Sequence, residues 1–303
     1  MKENKKYCSK ILLFGEYTVL HGSKALAMPF SKFSGKWIYD KLHNSRLEIQ
    51  KLKQYLLTIY REGKISGFDF DKLERLTANG LAFDSNIPQG YGVGSSGSVT
   101  AAVYDLFYAH KERISVNELK TTLGLIESCY HGSSSGLDPL VSYLSQPILI
   151  HNKQTVELLD SINENINKSL FLIDTSIQRR TAPLVEAYLA TRRENEQFLM
   201  EMQDIAAIND ELIDSYLIDD RELFTSKMKE LSLAQFKTMR MMIPEQYKQM
   251  WQSGLDSGAY SMKLNGAGGG GFLMVMKHTS ASLSVLNSAS LSVLDSALIS
   301  VLD

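Results

Sequence analysis

A chain of 303 residues, 44% hydrophobic and 22% charged, is long enough for one or two domains with their own cores and has the composition of a soluble globular protein. A formal net charge of -2 excludes a general attraction to nucleic acid or to an anionic membrane, so any affinity for phosphate must be local. Cys8 and Cys129 lie in no metal-ligand spacing, no run reaches about 18 apolar residues, and MKENKKYCSKILLFG lacks a signal h-region, so a reduced, cytoplasmic setting is expected.

In chain order, KILLF at 10–14 reads as a strand, Gly15-Glu16 as a turn, and YTVL at 17–20 as a second strand closed by His21-Gly22. Residues 44–62 carry Leu47, Ile49, Leu52, Tyr55, Leu56 and Ile59 at near-helical spacing. IPQGYGVGSSGSV at 87–99 alternates Gly90, Gly92 and Gly94 and then runs into Ser95 and Ser96. Beyond it Val99, Ala102, Val103, Leu106 and Phe107 form the apolar stripe of a helix. The glycine loop therefore ends at a helix N-terminus, whose unpaired N–H groups and positive dipole end attract an anion.

Residues 117–131 read as a helix that runs into the breaker-rich GSSSGLDP, and 148–150 and 169–174 as strands. The stretch 184–242, rich in Glu, Leu, Met, Lys and Ala, reads as several long helices, and SMKLNGAGGGGFLMVM as a glycine run followed by a strand. A domain boundary near residue 165 is expected, giving domains 1–165 and 166–303. The segment 281–303, with Ser280 before it, is an imperfect eight-residue repeat, SASLSVLN, SASLSVLD, SALISVLD, read either as a helix-plus-strand ending or as a poorly ordered tail.

Three motifs stand in order: KILLFGEYTVLHG, PQGYGVGSSGSV and NGAGGGGFLMV. With them the chain resembles the GHMP kinase superfamily from residue 10 to about residue 276. ESCYHGSSSGLD is similar to the E-x-x-x-H-G-x-x-S-G-x-D stretch of the mevalonate kinase branch, and IDTSIQRRTAPLV to its D-T-x-(five residues)-T segment. The resemblance implies an α+β, two-domain GHMP kinase fold, with an N-terminal ATP-binding domain like domain 2 of ribosomal protein S5 and a ferredoxin-like C-terminal domain.

It also implies site roles. Asp138 corresponds to the catalytic aspartate, with Lys10 beside it. Pro88, Gly90, Gly92, Gly94, Ser95 and Ser96 would hold the nucleotide, and Ser96 and Glu127 a magnesium ion. Glu16, His21, Arg179, Thr181, Gly268 and Gly269 would face the acceptor. Arg179 or its neighbour Arg180 would clamp the acceptor's carboxylate.

Phosphoryl transfer asks for these residue types on its own account. It needs positioning and charge neutralisation of the phosphates, hard oxygen ligands for magnesium, and a carboxylate to take the proton of an alcohol. The loop is not a Walker A motif, since no Gly-Lys-Ser/Thr follows the glycines. Taken singly, Glu127 would be a solvated helix residue, Asp138 an Asx-turn and Lys10 a strand-edge charge; Cys129 and His131 are read as structural.

The lead-in Cys8-Ser9-Lys10 and the Gly15-Glu16-Tyr17 turn depart from the mevalonate kinase pattern, the latter towards bacterial phosphomevalonate kinases, and Tyr91 replaces a small residue. The expected activity is transfer of the γ-phosphoryl group of ATP, with Mg2+, to mevalonate. Phosphomevalonate or another small alcohol or sugar is the alternative acceptor, and a non-catalytic nucleotide-binding regulator is the alternative class. A homodimer is the base-rate expectation.

Overall fold

The computed structural model describes residues 5–109, 114–179 and 181–278. It is an α+β structure whose chain divides into two compact units. The first is built from the described residues of 1–10, 28–88 and 93–146, and the second from those of 11–27, 89–92 and 147–303. The division is therefore interleaved: strands β1 (Tyr7–Phe14) and β2 (Ala25–Tyr39) each contribute to both units. The expected boundary near 165 falls inside the second unit, because β4 (Ile148–His151) and β5 (Thr155–Leu158) pair there.

In the first unit β2 pairs antiparallel with β3 (Leu81–Ser85), from Gly35 opposite Ser85 to Tyr39 opposite Leu81. Helix α1 (Ser45–Arg61) buries Ile49, Leu52, Leu56 and Ile59, a stripe at helical spacing, and leaves Leu47 outside it. Each of those four burials stabilises by about 1.5–3 kcal/mol in transfer terms. Helix α2 (Phe70–Ala78) starts at Asp69, whose carboxylate accepts the Lys72 N–H. The apolar stripe predicted after the glycine loop is α3 (Ser95–Phe107), and it packs on α4 (Val116–His131) and α5 (Leu137–Leu144). Helix α4 opens with a reciprocal capping box between Ser115 and Glu118, which fixes where Glu127 falls about three turns later. Tyr7, Ile49, Phe83, Ala101 and Ala102 form a core against which Trp37, Val99 and Tyr143 pack.

In the second unit the first residues of β2 pair with β4, Ala25 opposite Ile150. A short helix, α6 (Glu164–Asn167), leads into β6 (Leu170–Asp174). This strand lies in an antiparallel sheet of order β6-β8-β7, with β7 at Tyr260–Leu264 and β8 at Phe272–Lys277. The glycine run is the connection between β7 and β8. The predicted helical stretch resolves into α7 (Thr181–Glu194), α8 (Glu196–Leu217) and α9 (Arg221–Thr238), followed by α10 (Glu245–Ser257). Asn195 and Asp220 cap α8 and α9 with their side chains.

One sequence expectation fails. YTVL is not a second strand: Thr18–His21 is a turn of 3-10 helix, entered through Tyr17 at φ 59° and left through Gly22 at φ 87°. Both residues hold left-handed backbone, which ends the extended run regardless of its β-branched residues. The repeat at 281–303 and Arg180 lie outside the described residues.

Candidate active site

The first unit gathers Lys10, Gly94, Ser96, Glu127 and Asp138. Lys10, on β1, has a side chain 7% exposed and places Nζ 3.0 Å from Asp138 Oδ1. Its own N–H donates to the Val93 carbonyl at 3.0 Å, which ties the strand to the last turn of the glycine loop. Asp138 stands in the first turn of α5, where a carboxylate suits the positive end of the helix. Its close approach to α3 depends on Gly97, since a Cβ there would meet the Asp138 carbonyl carbon at 2.8 Å. Gly94, at φ 79°, is the N-cap of α3 and lies beside both Lys10 and Asp138. Ser95 follows it as the first helical residue, and half-buried Pro88 precedes the loop.

Ser96 Oγ donates to Glu127 Oε1 at 2.8 Å and lies 3.0 Å from His131 Nε2. Ser134 donates to the other carboxylate oxygen of Glu127. Glu127 is 4% exposed, and burial, with the nearby Asp138 charge second, pushes its pKa up to about 7. Hydrogen bonds from Ser134 and Ser96, and the Lys10 charge, pull the other way. A buried carboxylate that is costly to ionise, with a hydroxyl beside it, suits a hard dication better than it suits solvent. Among the described residues no three His, Cys, Asp or Glu side chains cluster as a closed cage. Glu127 and Ser96 offer two hard oxygen donors side by side, a set suited to an ion that keeps most of its waters.

The second unit gathers Gly90, Gly92, Arg179, Gly268 and Gly269, with Glu16 beside them. Gln89–Gly92 belongs to this unit, whereas the loop from Val93 onward belongs to the first. The Arg179 N–H donates to the Gly90 carbonyl at 3.0 Å, and the Gln178 amide to the Gln89 carbonyl at 3.2 Å. Tyr91 packs edge-on to Phe272 with ring centroids 5.4 Å apart. Thr175 donates from both N–H and Oγ1 to the Gly271 carbonyl, at 2.9 and 2.7 Å.

The residues expected to face the acceptor are held as follows. Arg179 is expected to clamp a carboxylate, yet its residue is only 7% exposed and Nη1 donates to the carbonyls of Asn265 (2.9 Å) and Gly268 (3.4 Å). Glu16 is equally enclosed. Its carboxylate is 2.7 Å from Lys263 Nζ, with both side chains at or below 1% exposure, and it accepts the Gly266 N–H at 3.4 Å. Burial pushes Glu16 up and Lys263 down in pKa, and their attraction opposes both shifts. Gly268 and Gly269 press against the Met242 carbonyl and the Leu184 side chain, and Gly269 N–H donates to that carbonyl at 2.6 Å. His21 Nε2 sits 2.6 Å from the Tyr188 hydroxyl, so its ring is engaged within the unit, and burial lowers its pKa. Thr181 is exposed at the start of α7.

Sequence reasoning missed Lys263, Ser134 and the contact of His131. Lys263 had a visible signal, a lone cation in the strand SMKL; a buried lysine demands a partner, and the acidic residue of the first motif is that partner. His131 shares a helix face with Glu127 at i, i+4, which brings both to Ser96.

Residues 47–146 match the family model described as "GHMP kinases N terminal domain". The chain is 22% identical over 314 aligned positions to a mevalonate kinase of Pyrococcus abyssi, covering 88% of this chain and 86% of the relative. Its fold is similar to that of Methanococcus jannaschii mevalonate kinase, with a TM-score of 0.62 at 19% identity over 95% of each chain. Streptococcus pneumoniae phosphomevalonate kinase is similar too, with a TM-score of 0.60 at 14% identity over 96% of this chain and 98% of that one. Among the described residues no helix is long and apolar enough to cross a membrane.

Proposed function

We propose that this chain, a member of the GHMP kinase superfamily, transfers the γ-phosphoryl group of ATP to the hydroxyl of a small hydroxylated acid, and that the acid is mevalonate. The observation that carries the reading is the buried Lys10 held 3.0 Å from Asp138, next to Gly94 at the N-terminus of α3. An alcohol is a poor nucleophile while it keeps its proton, and a partly exposed carboxylate backed by a fixed cation is suited to receive that proton.

The hydroxyl proton passes to a carboxylate oxygen of Asp138 as the alcohol oxygen bonds to the γ-phosphorus. The bond from that phosphorus to the bridging oxygen breaks, and ADP leaves. Lys10 favours the developing alkoxide and orients Asp138. Backbone N–H groups of the glycine loop and of the first turn of α3 hold the phosphates. Magnesium, held by Glu127 and Ser96, would neutralise phosphate oxygens when bound. Burial of Glu127 favours the ion over solvent as its partner.

Support for mevalonate comes from the ESCYHGSSSGLD stretch and from the named relatives. A second acceptor, phosphomevalonate, is favoured by Gly15-Glu16-Tyr17 and by the likeness to a phosphomevalonate kinase fold. The test is ADP release by the purified protein with ATP and magnesium against mevalonate, phosphomevalonate, galactose and homoserine in parallel. Turnover with mevalonate alone is expected. Turnover with phosphomevalonate instead selects the second reading, and ATP binding without turnover on any acceptor selects a nucleotide-binding regulator.

A further inference from the structure

Arg179 touches more main chain than an acceptor clamp needs to. Its N–H donates to the Gly90 carbonyl at 3.0 Å, and its Nη1 to the carbonyls of Asn265 and Gly268 at 2.9 and 3.4 Å. The flat guanidinium also fills the space where two side chains would otherwise be. A Cβ on Gly92 would stand 1.5 Å from Nη2, and one on Gly266 would stand 2.4 Å from the same nitrogen. Both glycines hold φ +72°. A clamp for a soluble acid would present its nitrogens to open space, whereas this residue is 7% exposed.

We infer that Arg179 is a positioning residue that spans the two glycine segments, 89–92 and 265–268, and sets the shape of the loop that holds the nucleotide phosphates. The inference rests on the kinase reading above and changes the role of one residue within it. The fork geometry matters as much as the charge, because one planar group reaches two carbonyls while lying flat against two Cα atoms. A lysine is a point cation on a flexible stem and cannot do both. Gly92 is glycine because Arg179 occupies its side-chain position, so the two residues should be energetically coupled.

The experiment is calorimetric titration with ATP and magnesium, with no acceptor present, on the full chain and on Arg179→Met, Arg179→Lys, Arg179→Ala, Gly92→Ala and the Gly92→Ala/Arg179→Ala double variant. Arg179→Met and Arg179→Lys are both expected to weaken ATP binding about tenfold or more. In residual turnover the acceptor KM should move by no more than about twofold. In the double variant the Gly92→Ala penalty should shrink at least about threefold, since the atom it collides with is gone; what remains is the strain of alanine at positive φ.

Normal ATP affinity in Arg179→Met with a raised acceptor KM, partly restored by Arg179→Lys, would overturn the inference in favour of a clamp. So would penalties that simply multiply in the double variant. If the parent chain itself fails to bind ATP, the kinase reading fails. The coupling is then read from the thermal midpoints of the parent, the Arg179→Ala and Gly92→Ala variants and the double, where additivity would still reject it.

Discussion

The Lys10, Asp138 and Glu127 cluster of the first unit and the glycine run of the second are both proposed to serve phosphoryl transfer, yet they are built from different material. The first is made of side chains from the middle of β1, the last turns of α4 and the first turn of α5, with Asp138 30% exposed on its side chain. The second is mostly main chain, held from beneath by Arg179 and by an ion pair whose members are at or below 1% exposure. Side chains that do chemistry must reach substrate, so they tolerate partial exposure; main chain that only has to keep a shape can be held by charges buried behind it. The difference predicts that substitutions at partly exposed Asp138 change rate, that those in the second region change stability and affinity, and that buried Glu127 changes both stability and metal demand.

The largest effect should come from breaking the buried pair. Glu16→Ala leaves Lys263 uncompensated and is expected to cost about 3–5 kcal/mol in urea unfolding. Glu16→Leu with Lys263→Met should recover most of that loss, because two apolar groups need no desolvation. A single variant within about 1 kcal/mol of the parent would show that the pair is not what supports the glycine run.

Glu127 gives the next effect, and in the opposite direction. Its folded pKa of about 7 lies above the ordinary 4.5. Its contribution to stability is therefore complete below about pH 4.5 and is lost as pH rises through about 7. With magnesium chelated, Glu127→Gln should unfold at higher urea than the parent at about pH 8, by about 1–3 kcal/mol, and match it near pH 4. It should also raise the magnesium concentration needed for turnover. Equal stability at both pH values would mean that the carboxylate is not penalised by burial.

Smallest is Ser134→Ala. It removes one hydrogen bond that lowers the Glu127 pKa, so the carbon-13 titration midpoint of that carboxyl should move upward by less than about one unit. A downward movement would contradict the assigned cause.

The contrast also explains what could be read from the sequence. α1, α3 and α4 were legible because each buries a stripe at helical spacing, and the ESCYHGSSSGLD stretch carries Glu127 and Asp138 on side chains whose chemistry is visible in one letter. The backbone-built region was not. Nothing in YTVL announces that Tyr17 adopts φ 59°, so the letters spell a strand where the chain makes a 3-10 turn. An arginine ahead of a threonine reads as an acceptor clamp, and the carbonyls around Arg179, which support the positioning role inferred above, leave no trace in the sequence. The interleaved units were hidden for a related reason. β2 is a single strand of 15 residues serving both, and a boundary inside a strand leaves no linker composition to notice.

The most direct test of the account is Asp138→Asn, measured for turnover and for ATP affinity on the same preparation. The expected result is a kcat lower by about 10²–10⁴ with ATP affinity within about twofold of the parent, because the carboxylate is proposed to act on the acceptor's proton and not on the nucleotide. Turnover near the parent's value, or a loss of ATP affinity as large as the loss of rate, would contradict it.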